Sequence, residues 1–459
     1  MVMVHYQRPV ALPLSSRSAK PSSKDFVTFN KTCQPGTKKD TTCLKKTNKR
    51  GKIITYGSDF SGLSSQSITV NCLKASYGMT SDVHHRFACD KAKSCKKLIC
   101  LTTSPDFFFD DITARPKQID GLKDLDFYQN TAPCQGLSSL GQQDPNDPRN
   151  LLVTYSVLFV RNHKPKAFIS EQVANFNAAT GKFKRLHDWV LAEHRKDGYH
   201  LTERVVVTKD YGVSQKRARY YLVGIRLDVK RAREMNISIF PPVVPNWSNA
   251  PLKSLVSTLP SSDWMPHPPL GNTTAYENTM KAYKSCKVNP FTTPVVVDCG
   301  STLKFMDYGV GNAPTLTATR CAQKDGYWCS TKGGFLQVEE LASLQGYGDF
   351  LGNKIPWKEA GLSRHAFGHI VGNAQSGNFL LLLYPRVLFH AQLISLQEYI
   401  TIQGRVNAKF SSLGSMEMTD RLLQDHGIAS SSSSSGVRVP APSSSSSGVR
   451  VNALVWAAD

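Results

Sequence analysis

Between residues 51 and 226, short apolar segments alternate with segments of helical character, and this alternation constrains the fold more than any other feature of the sequence. Strands are predicted for the segments "KIITY", "HRFACD", "DFYQN", "KAFISEQV" and "YYLVGI". Helices are predicted for "SITVNCLKASYG", "KAKSCKKLIC", "DPRNLLVTYSVLFVRNH" and "FKRLHDWVLAEHRKDG". Such a pattern predicts an α/β fold, a doubly wound and mainly parallel sheet with helices on both faces. Ligands of these folds bind beyond the carboxyl ends of the strands.

The remaining segments suggest further divisions of the chain. Residues 1–50 predict a disordered basic arm, and residues 51–226 a catalytic and ligand-binding domain. Scattered prolines, glycines and aromatics in 227–333 indicate a small irregular domain, which we interpret as a recognition domain, and 334–390 returns to the main domain. The unit "SSSSSGVRV" occurs twice near the end, so we expect residues 391–459 to form a flexible Ser-rich tail.

The charge balance favours a polyanionic partner. The formal net charge is +21, and residues 1–52 alone contain twelve Lys and Arg side chains against Asp25 and Asp40. Most proteins with this balance bind nucleic acid. The segment "KKTNKRGK" is typical of a nuclear address, so we expect a nuclear protein; the acid-free start of the chain favours an organelle as the alternative.

The cysteines do not suggest a disulfide framework or a zinc site. Their number is odd, eleven, and no C-x-x-C pair occurs. We therefore expect a reducing compartment and no metal. No apolar run approaches the roughly 20 residues that cross a bilayer, so we expect no membrane contact.

Reactive or polar side chains follow the predicted strands in turn. The small-residue turn "DFSGLSSQS" follows the first strand, and small residues let a ligand approach backbone N–H groups. Acids at this edge accept hydrogen bonds from ribose hydroxyls, and a cysteine in a Gly/Ser-rich loop is a candidate nucleophile. The residues concerned, after successive strands or before the last one, are Asp90, Asp110, Asp111, Cys134, Glu171, Gln215, Arg217 and Arg219.

Taken together in order, these segments resemble the cytosine-5 DNA methyltransferases, which use S-adenosylmethionine. "DFSGLS" resembles the F-x-G-x-G cofactor loop, "PCQGLSSLG" the nucleophile loop P-C-Q-x-F-S-x-x-G, and "SEQV" the E-N-V motif. "QKRAR" matches Q-x-R-x-R, "VEELASLQGYGDF" resembles E-x-x-x-L-Q-G-F-P, and "IVGNAQS" resembles the closing G-N-x-V motif. The resemblance spans residues 53–226 and 312–380 and implies a Rossmann-like methyltransferase with double-stranded DNA as partner, which we expect to be a monomer.

The resemblance also implies a role for each matching residue. It assigns catalysis to Cys134, Glu171, Arg217 and Arg219, with Cys134 as the nucleophile that adds to carbon 6 of a flipped-out cytosine. Glu171 would hydrogen-bond ring nitrogen 3 and the exocyclic amine, and the two arginines would hold the base and the nucleophile loop. The implied cofactor contacts are Phe60, Gly62, Leu63, Asp90, Asp111, Ile112, Pro133 and Asn373, and the implied substrate contacts are Gln135, Ser138 and Gln215.

Departures from the family pattern leave two alternatives open. Ser64 stands where the second glycine of the cofactor loop is expected, Leu137 replaces Phe, and Gln172 replaces Asn. A non-catalytic nucleic-acid-binding protein on the same fold is one alternative. The other is a tRNA cytosine-5 methyltransferase, although its Cys-Phe-Thr signature is met here only by "NPFTTP", with Pro290 in place of the cysteine.

Overall fold

The computed structural model describes residues 53–119, 121–122, 125–133, 136, 144, 147–177, 181, 183–233, 239–243, 262–348 and 355–411. All of them belong to one compact unit, Met1–Ser415. The predicted arm over 1–50 and the duplicated serine units lie outside the described residues. Within them, no helix is both long and apolar enough to cross a membrane.

A seven-stranded sheet organises the main part of the described chain, in the order β3-β2-β1-β4-β5-β7-β6. All neighbours are parallel except those of β7, which runs antiparallel to β5 and β6. The predicted mainly parallel sheet is therefore confirmed. The strands are β1 (Ile54–Asp59), β2 (Val83–Cys89), β3 (Phe107–Phe109), β4 (Phe127–Asn130), β5 (Ala167–Val173), β6 (Tyr199–Val207) and β7 (Ala218–Arg226).

Helices precede, connect and follow these strands. Those before residue 240 are α1 (Ser65–Ser76), α2 (Lys93–Thr102), α3 (Leu152–His163), α4 (Lys184–Lys196) and α5 (Lys230–Arg233). Later ones are α6 (Thr273–Ser285), α7 (Ala318–Ala322), α8 (Val338–Leu344), α9 (Arg364–Asn373), α10 (Gly377–His390) and α11 (Leu396–Ser411). Short 3-10 turns occupy Pro148–Leu151, Ala174–Asn177 and Thr208–Tyr211.

Alternating side chains of the central strands pack against helices on opposite faces of the sheet. In β4, the Phe127 ring lies 5.2 Å from Tyr384 of α10, whereas the next residue, Tyr128, lies 4.6 Å from Phe159 of α3. Successive side chains of a strand point to opposite faces. The sheet is therefore covered on both sides, as the alternation of apolar and helical segments predicts.

The strand order reverses between β1 and β4, and this reversal positions the candidate site. From β1 the chain proceeds to β2 and β3 on one side, and β4 and β5 follow on the other. Loops that leave two neighbouring parallel strands in opposite directions open a crevice at their carboxyl ends. Residues 60–64 and residues 131–133 flank that crevice, because Asp59 pairs with Asn130 in the β1–β4 register.

A second sheet shows that the region expected to be irregular has its own core. It is antiparallel, in the order β11-β10-β8-β9, and consists of β8 (Val295–Asp298), β9 (Tyr308–Val310), β10 (Tyr327–Cys329) and β11 (Gly334–Phe335). Helix α6 packs on this sheet through Ala275 and Ala282. Both residues belong to the same core cluster as the buried Trp328 of β10. The expectation of an irregular fold is wrong here, because the short strands pair across long sequence intervals. The proposed boundaries of this domain stay a prediction.

The flexible tail expected from residue 391 is wrong for residues 396–411, which form α11. Tyr399, Ile402, Val406 and Phe410 are buried along one face of this helix, at the spacing of an amphipathic helix. Near its start, the Glu398 carboxylate accepts hydrogen bonds of 2.7 Å from two backbone N–H groups ahead of β2. The residues after 411 lie outside the described part of the chain.

Glycine allows α9 to approach α7 at backbone distance. A Cβ atom added at Gly368 would lie 2.1 Å from the carbonyl oxygen of Cys321, far inside van der Waals contact. In contrast, Gly404 of α11 is exposed, and a Cβ there would meet no atom of the described chain within 4 Å. The same substitution therefore has opposite consequences in two helices.

We predict that Gly368→Ala lowers the free energy of unfolding by about 1–3 kcal/mol, because the added methyl group overpacks the helix contact. Gly404→Ala should raise it by about 0.5–1 kcal/mol, since alanine loses less backbone entropy in an open helical position. Equilibrium urea denaturation of both variants measures the difference. A neutral or stabilising Gly368→Ala would contradict the close α7–α9 contact.

Candidate active site

The turn after β1 has a backbone that favours glycine. Phe60, Gly62 and Ser64 have φ values of 54°, 52° and 61°, all in the left-handed region. Non-glycine residues adopt this conformation at a cost of about 1–2 kcal/mol each. Among the described residues, a Cβ at Gly62 would contact only the Phe60 carbonyl oxygen, at 3.8 Å, so these residues leave space beside the turn. This turn therefore leaves room for a ligand against its backbone.

Asp90 fixes the turn from the end of β2. Its carboxylate accepts a hydrogen bond of 2.8 Å from Gly62 N through Oδ2 and one of 2.9 Å from Ala92 N through Oδ1. Burial raises the pKa of Asp90, and the two backbone hydrogen bonds lower it to a smaller extent. An ionised carboxylate has lone pairs beyond these two bonds, so Asp90 keeps capacity for further donors.

Ser64 does not intrude on the crevice. Its hydroxyl is buried and donates a 2.8 Å hydrogen bond to Ser67 Oγ in the first turn of α1. The extra side chain at this departure from the family's glycine is therefore directed into the helix. The neighbouring Leu63 is buried and helps to anchor the turn in the core.

Asp111 lies after β3 and is the most accessible acid among the residues predicted to contact the cofactor. Its Oδ1 accepts hydrogen bonds from the backbone and hydroxyl of Thr113, which lower the pKa of Asp111. Its Oδ2 lies 3.5 Å from Lys91 Nζ. Ile112 beside it is buried. Asp111 is thus an ionised acceptor at the edge of the sheet.

The chemistry of these groups fits the nucleoside part of S-adenosylmethionine. Two carboxylates provide acceptors for ribose hydroxyls and an exocyclic amine, and the open turn at Gly62 leaves space beside them. Asn373 ends α9 with its side chain exposed, and Pro133 is half-buried at the start of the nucleophile loop. These assignments stay predictions.

The predicted nucleophile Cys134 lies outside the described residues, as do Gln135 and Ser138. The backbone that leads to them is described and is held from two sides. Thr131 Oγ1 donates to the Phe60 carbonyl oxygen at 2.7 Å, which joins this loop to the cofactor turn. Gln172 Nε2 donates to the Ala132 carbonyl oxygen at 2.8 Å. The glutamine that replaces the family's Asn therefore contacts the entry of the nucleophile loop.

The buried Glu171 and the half-buried Arg219 form an ion pair across β5 and β7. Arg219 Nε lies 3.1 Å from Glu171 Oε1, and their side chains are 15% and 10% exposed. Burial raises the pKa of the Glu171 carboxyl, while Arg219 and then Arg217 lower it to a smaller extent. The structure thus brings together the glutamate and both arginines that the sequence selected.

Arg217 and Gln215 contact the late segments of the chain. Arg217 Nη1 donates to the carbonyl oxygens of Leu316, at 2.6 Å, and Gly372, at 3.1 Å. Gln215 is fully buried, and its side chain donates to the Leu344 carbonyl oxygen at 3.0 Å. The geometry assigns Gln215 a role in holding the late motifs in place, so its predicted substrate contact gains no support from the structure.

Six of the described cysteines are poor nucleophiles. Burial raises the pKa of Cys72 to about 11 and those of Cys299 and Cys321 to about 12, and it raises those of Cys89, Cys95 and Cys329. Thiols react as thiolates, so a raised pKa suppresses reactivity. Cys72 and Cys95 are core residues as expected, but Cys100 is only half-buried. In the part of the chain that the structure describes, no group of His, Cys, Asp or Glu side chains forms a metal site.

The raised pKa of Glu171 predicts how stability depends on pH. Above the ordinary pKa of 4.5 the folded state binds more protons than the unfolded chain, so ionisation of Glu171 destabilises the fold as pH rises. We predict that the melting temperature of Glu171→Gln, measured relative to the wild type, increases between pH 4.5 and pH 7.5, because only the wild type gains a buried carboxylate charge over this range. Differential scanning calorimetry across this range measures it.

Asp111→Asn provides a control of opposite sign. The pKa of Asp111 is lowered in the folded state, so its ionised form contributes stability above its ordinary pKa, and this contribution is lost as pH falls through the folded pKa. The Asn variant should therefore melt lower than the wild type at pH 7.5. If the melting temperature of Glu171→Gln relative to the wild type fell between pH 4.5 and pH 7.5, the burial penalty assigned to Glu171 would be wrong.

Comparison with known proteins identifies related sequences. Residues of this chain are 33% identical over 122 residues to the Type II methyltransferase M.DdeI of Desulfomicrobium norvegicum, covering 26% of this chain and 28% of that protein. M.XorII of Xanthomonas oryzae is 37% identical over 108 residues, covering 23% and 25%. The matched segments thus span about a quarter of the length of these curated relatives. The solved structure of the S. pombe Dnmt2 methyltransferase aligns with 73% of this chain and 98% of its own, with a TM-score of 0.47 and 13% identity.

The family match is much longer than these pairwise matches. The sequence model of the C-5 cytosine-specific DNA methylases covers residues 60–371, about two thirds of the chain. That range begins at the turn after β1 and includes Glu171, Arg217 and Arg219. It ends in α9, two residues before Asn373. The chain belongs to the C-5 cytosine-specific DNA methylase family.

Proposed function

We propose that this chain transfers a methyl group from S-adenosylmethionine to carbon 5 of a flipped-out cytosine in double-stranded DNA. Cys134 forms the covalent bond to the base. The observation that best supports the proposal is the Glu171–Arg219 ion pair, on strands next to the entry of the nucleophile loop. Its Arg219 Nε and Glu171 Oε1 atoms lie 3.1 Å apart. A paired carboxyl and guanidinium with little exposure suit a polar heterocycle that leaves its duplex.

Glu171 and Cys134 share the activation of the base. Carbon 5 of cytosine is a weak nucleophile, and addition of the Cys134 thiolate to carbon 6 gives carbon 5 enamine character. The Glu171 carboxyl holds ring nitrogen 3, where negative charge develops as sulfur adds. Burial raises the pKa of Glu171, so at a given pH a larger fraction of this carboxyl is protonated and can donate a hydrogen bond than of an exposed glutamate. Once carbon 5 has gained the methyl group, a base takes the carbon-5 proton, the carbon 5–carbon 6 double bond forms again, and Cys134 leaves as the thiolate.

The arginines have separate tasks in this proposal. Arg219 holds Glu171 in position and presents a positive charge to the base carbonyl or phosphate. Arg217 donates hydrogen bonds to the backbone carbonyl oxygens of Leu316 and Gly372, so it fixes the late segments that close the site. Its charge still favours the ionised form of Glu171.

Cofactor binding is assigned to the opposite side of the crevice. Asp90 accepts the ribose hydroxyls and Asp111 the adenine amine, while Phe60, Gly62, Leu63, Ile112, Pro133 and Asn373 line the remaining contacts. When bound, S-adenosylmethionine supplies an electrophilic methyl sulfonium. The link between Thr131 and Phe60 keeps the two sides of the crevice in register.

The net charge of +21 matches a duplex substrate. Flipping a base out of the stack costs a few kcal/mol, and basic side chains on the phosphates offset that cost. We propose that the protein acts as a monomer on DNA. We also propose a nuclear location directed by "KKTNKRGK", which microscopy of a fluorescent fusion with and without residues 45–52 tests; unchanged nuclear entry would refute it.

We predict that Cys134→Ala reduces methyl transfer to DNA below about one thousandth of the wild-type rate while cofactor binding is retained, since only the nucleophile is lost. Transfer of labelled methyl groups to a DNA duplex gives the rate, and calorimetry gives the cofactor affinity. Cys100→Ala serves as a matched control, because it removes a half-buried thiol outside the proposed site. Full activity of Cys134→Ala contradicts the assignment.

Two further measurements separate the alternative functions. Transfer to tRNA but not to DNA in the same assay would favour the tRNA methyltransferase. A duplex with 5-fluorocytosine traps the covalent intermediate, because fluorine at carbon 5 cannot leave as a proton. Absence of any adduct with the wild type under turnover conditions would favour a protein that binds without catalysis.

A further inference from the structure

A buried charge network lies beneath the crevice and takes no part in the proposed chemistry. The carboxylate of Asp59, at the end of β1, pairs with Arg115 Nη1 through Oδ1 and accepts a 2.6 Å hydrogen bond from the Tyr128 hydroxyl through Oδ2. The side chains of Asp59 and Arg115 are 0% and 4% exposed. Neither Arg115 nor Tyr128 belongs to a recognisable sequence motif.

The network joins three segments that border the crevice. Asp59 directly precedes the turn that begins at Phe60. Arg115 follows Asp111 by four residues in the segment after β3, and Tyr128 lies in β4, ahead of Thr131. The backbone adds to the connection, because Thr131 N donates to the Asp59 carbonyl oxygen at 3.4 Å. A shift of any one segment would therefore disturb the other two.

Aromatic rings enclose the guanidinium and keep water away from it. The Arg115 guanidinium carbon lies 4.7 Å from the centre of the Phe159 ring and 5.4 Å from that of Phe87. His163 stacks on Phe159 with ring centres 4.1 Å apart, and its Nε2 accepts a 3.2 Å hydrogen bond from Ile119 N. The network thus extends into the loop that follows Arg115.

Burying two charges seldom adds stability. The desolvation penalty of such a pair often exceeds its attraction, and apolar replacements of similar volume are commonly neutral or stabilising. What a buried pair does provide is a fixed geometry, because each charge tolerates no position that leaves the other unpaired. Asp59 directly precedes the turn at 60–64, and Arg115 lies in the segment that carries Asp111. A fixed geometry of the pair therefore fixes the spacing of these two segments.

We propose that Asp59 and Arg115 are positioning residues that hold the turn at 60–64 and the segment carrying Asp111 at the spacing the methyl donor requires. The proposal rests on the proposed function, since it takes S-adenosylmethionine as the ligand of this crevice. Asp59 and Arg115 touch no reacting atom. They act through Gly62, Asp111 and Thr131, and they set the affinity for the cofactor.

The experiment compares a charge-free variant of this pair with a charge-free variant of another buried pair. Asp59→Leu/Arg115→Met removes both charges together, so that neither is left unpaired. The matched control is Lys332→Met/Glu340→Leu, whose wild-type side chains are 1% and 9% exposed and pair at 2.6 Å. Circular dichroism and melting temperature report folding, and titration calorimetry gives the dissociation constant for S-adenosylmethionine in the full chain.

We expect the crevice variant to fold and its dissociation constant for S-adenosylmethionine to rise at least about tenfold, corresponding to about 1.4 kcal/mol. Methyl transfer at saturating cofactor should recover most of the wild-type rate. The control should change the melting temperature while the dissociation constant stays within about twofold. Equal cofactor affinity in the crevice variant and the wild type would overturn the proposal and leave an ordinary structural ion pair.

Hydrogen exchange gives a readout that does not depend on the ligand. In the crevice variant, the amides of Gly62 and Thr131 should exchange faster than in the wild type, while those of β5 stay protected. Acceleration spread evenly over the sheet would overturn the proposal. If the wild type binds no S-adenosylmethionine, the proposed function fails, and exchange at Gly62 and Thr131 alone decides the coupling. Tyr128→Phe, which keeps the ion pair and removes one hydrogen bond, should give a smaller effect in the same direction.

Discussion

The parallel pairing of β1 with β4 is the contact on which the site depends. It sets Asp59 beside Asn130, so the chain leaves the sheet at two adjacent points and turns in opposite directions. The cofactor turn and the entry of the nucleophile loop are therefore neighbours before any ligand is present. The 2.7 Å hydrogen bond from Thr131 Oγ1 to the Phe60 carbonyl oxygen closes the gap between them. Every catalytic assignment relies on these two loops keeping that relation.

The site contains several polar groups whose burial destabilises the fold. Glu171 and Asp90 both have pKa values raised by burial, which means that their ionised forms cost free energy. The compensation comes from apolar packing elsewhere, above all α10, whose residues from Gly377 to His390 are all buried. The stability of this apolar core offsets the free-energy cost of the strained, charged site.

The sequence correctly predicted those elements of the fold that are determined by residues close together in the chain. The alternation of strands and helices and the acids at the strand ends appear in the structure. Strand β6 was missed because its sequence, "YHLTERVVV", alternates weakly and is fixed by antiparallel pairing with β7. Helix α11 was missed because a Ser-rich repeat follows it and dominated the interpretation of the whole tail. The irregular reading of the smaller sheet failed because β8, β9 and β10 pair across intervals of ten to thirty residues that no local pattern encodes.

The same limit applies to the site. Sequence order selected Glu171, Arg217 and Arg219, and the structure brings these three together, because their relation follows from two adjacent strands. It did not reveal the Arg115 contact with Asp59, which depends on how a loop of little regular structure folds back over α3. The departures from the family pattern are of this long-range kind as well. Ser64 directs its hydroxyl into α1, and Gln172, in the neighbouring strand β5, donates a hydrogen bond to the Ala132 carbonyl oxygen. Neither substitution removes a reactive group, and the Ser64 hydroxyl and the Gln172 amide each have a hydrogen-bond partner within the protein.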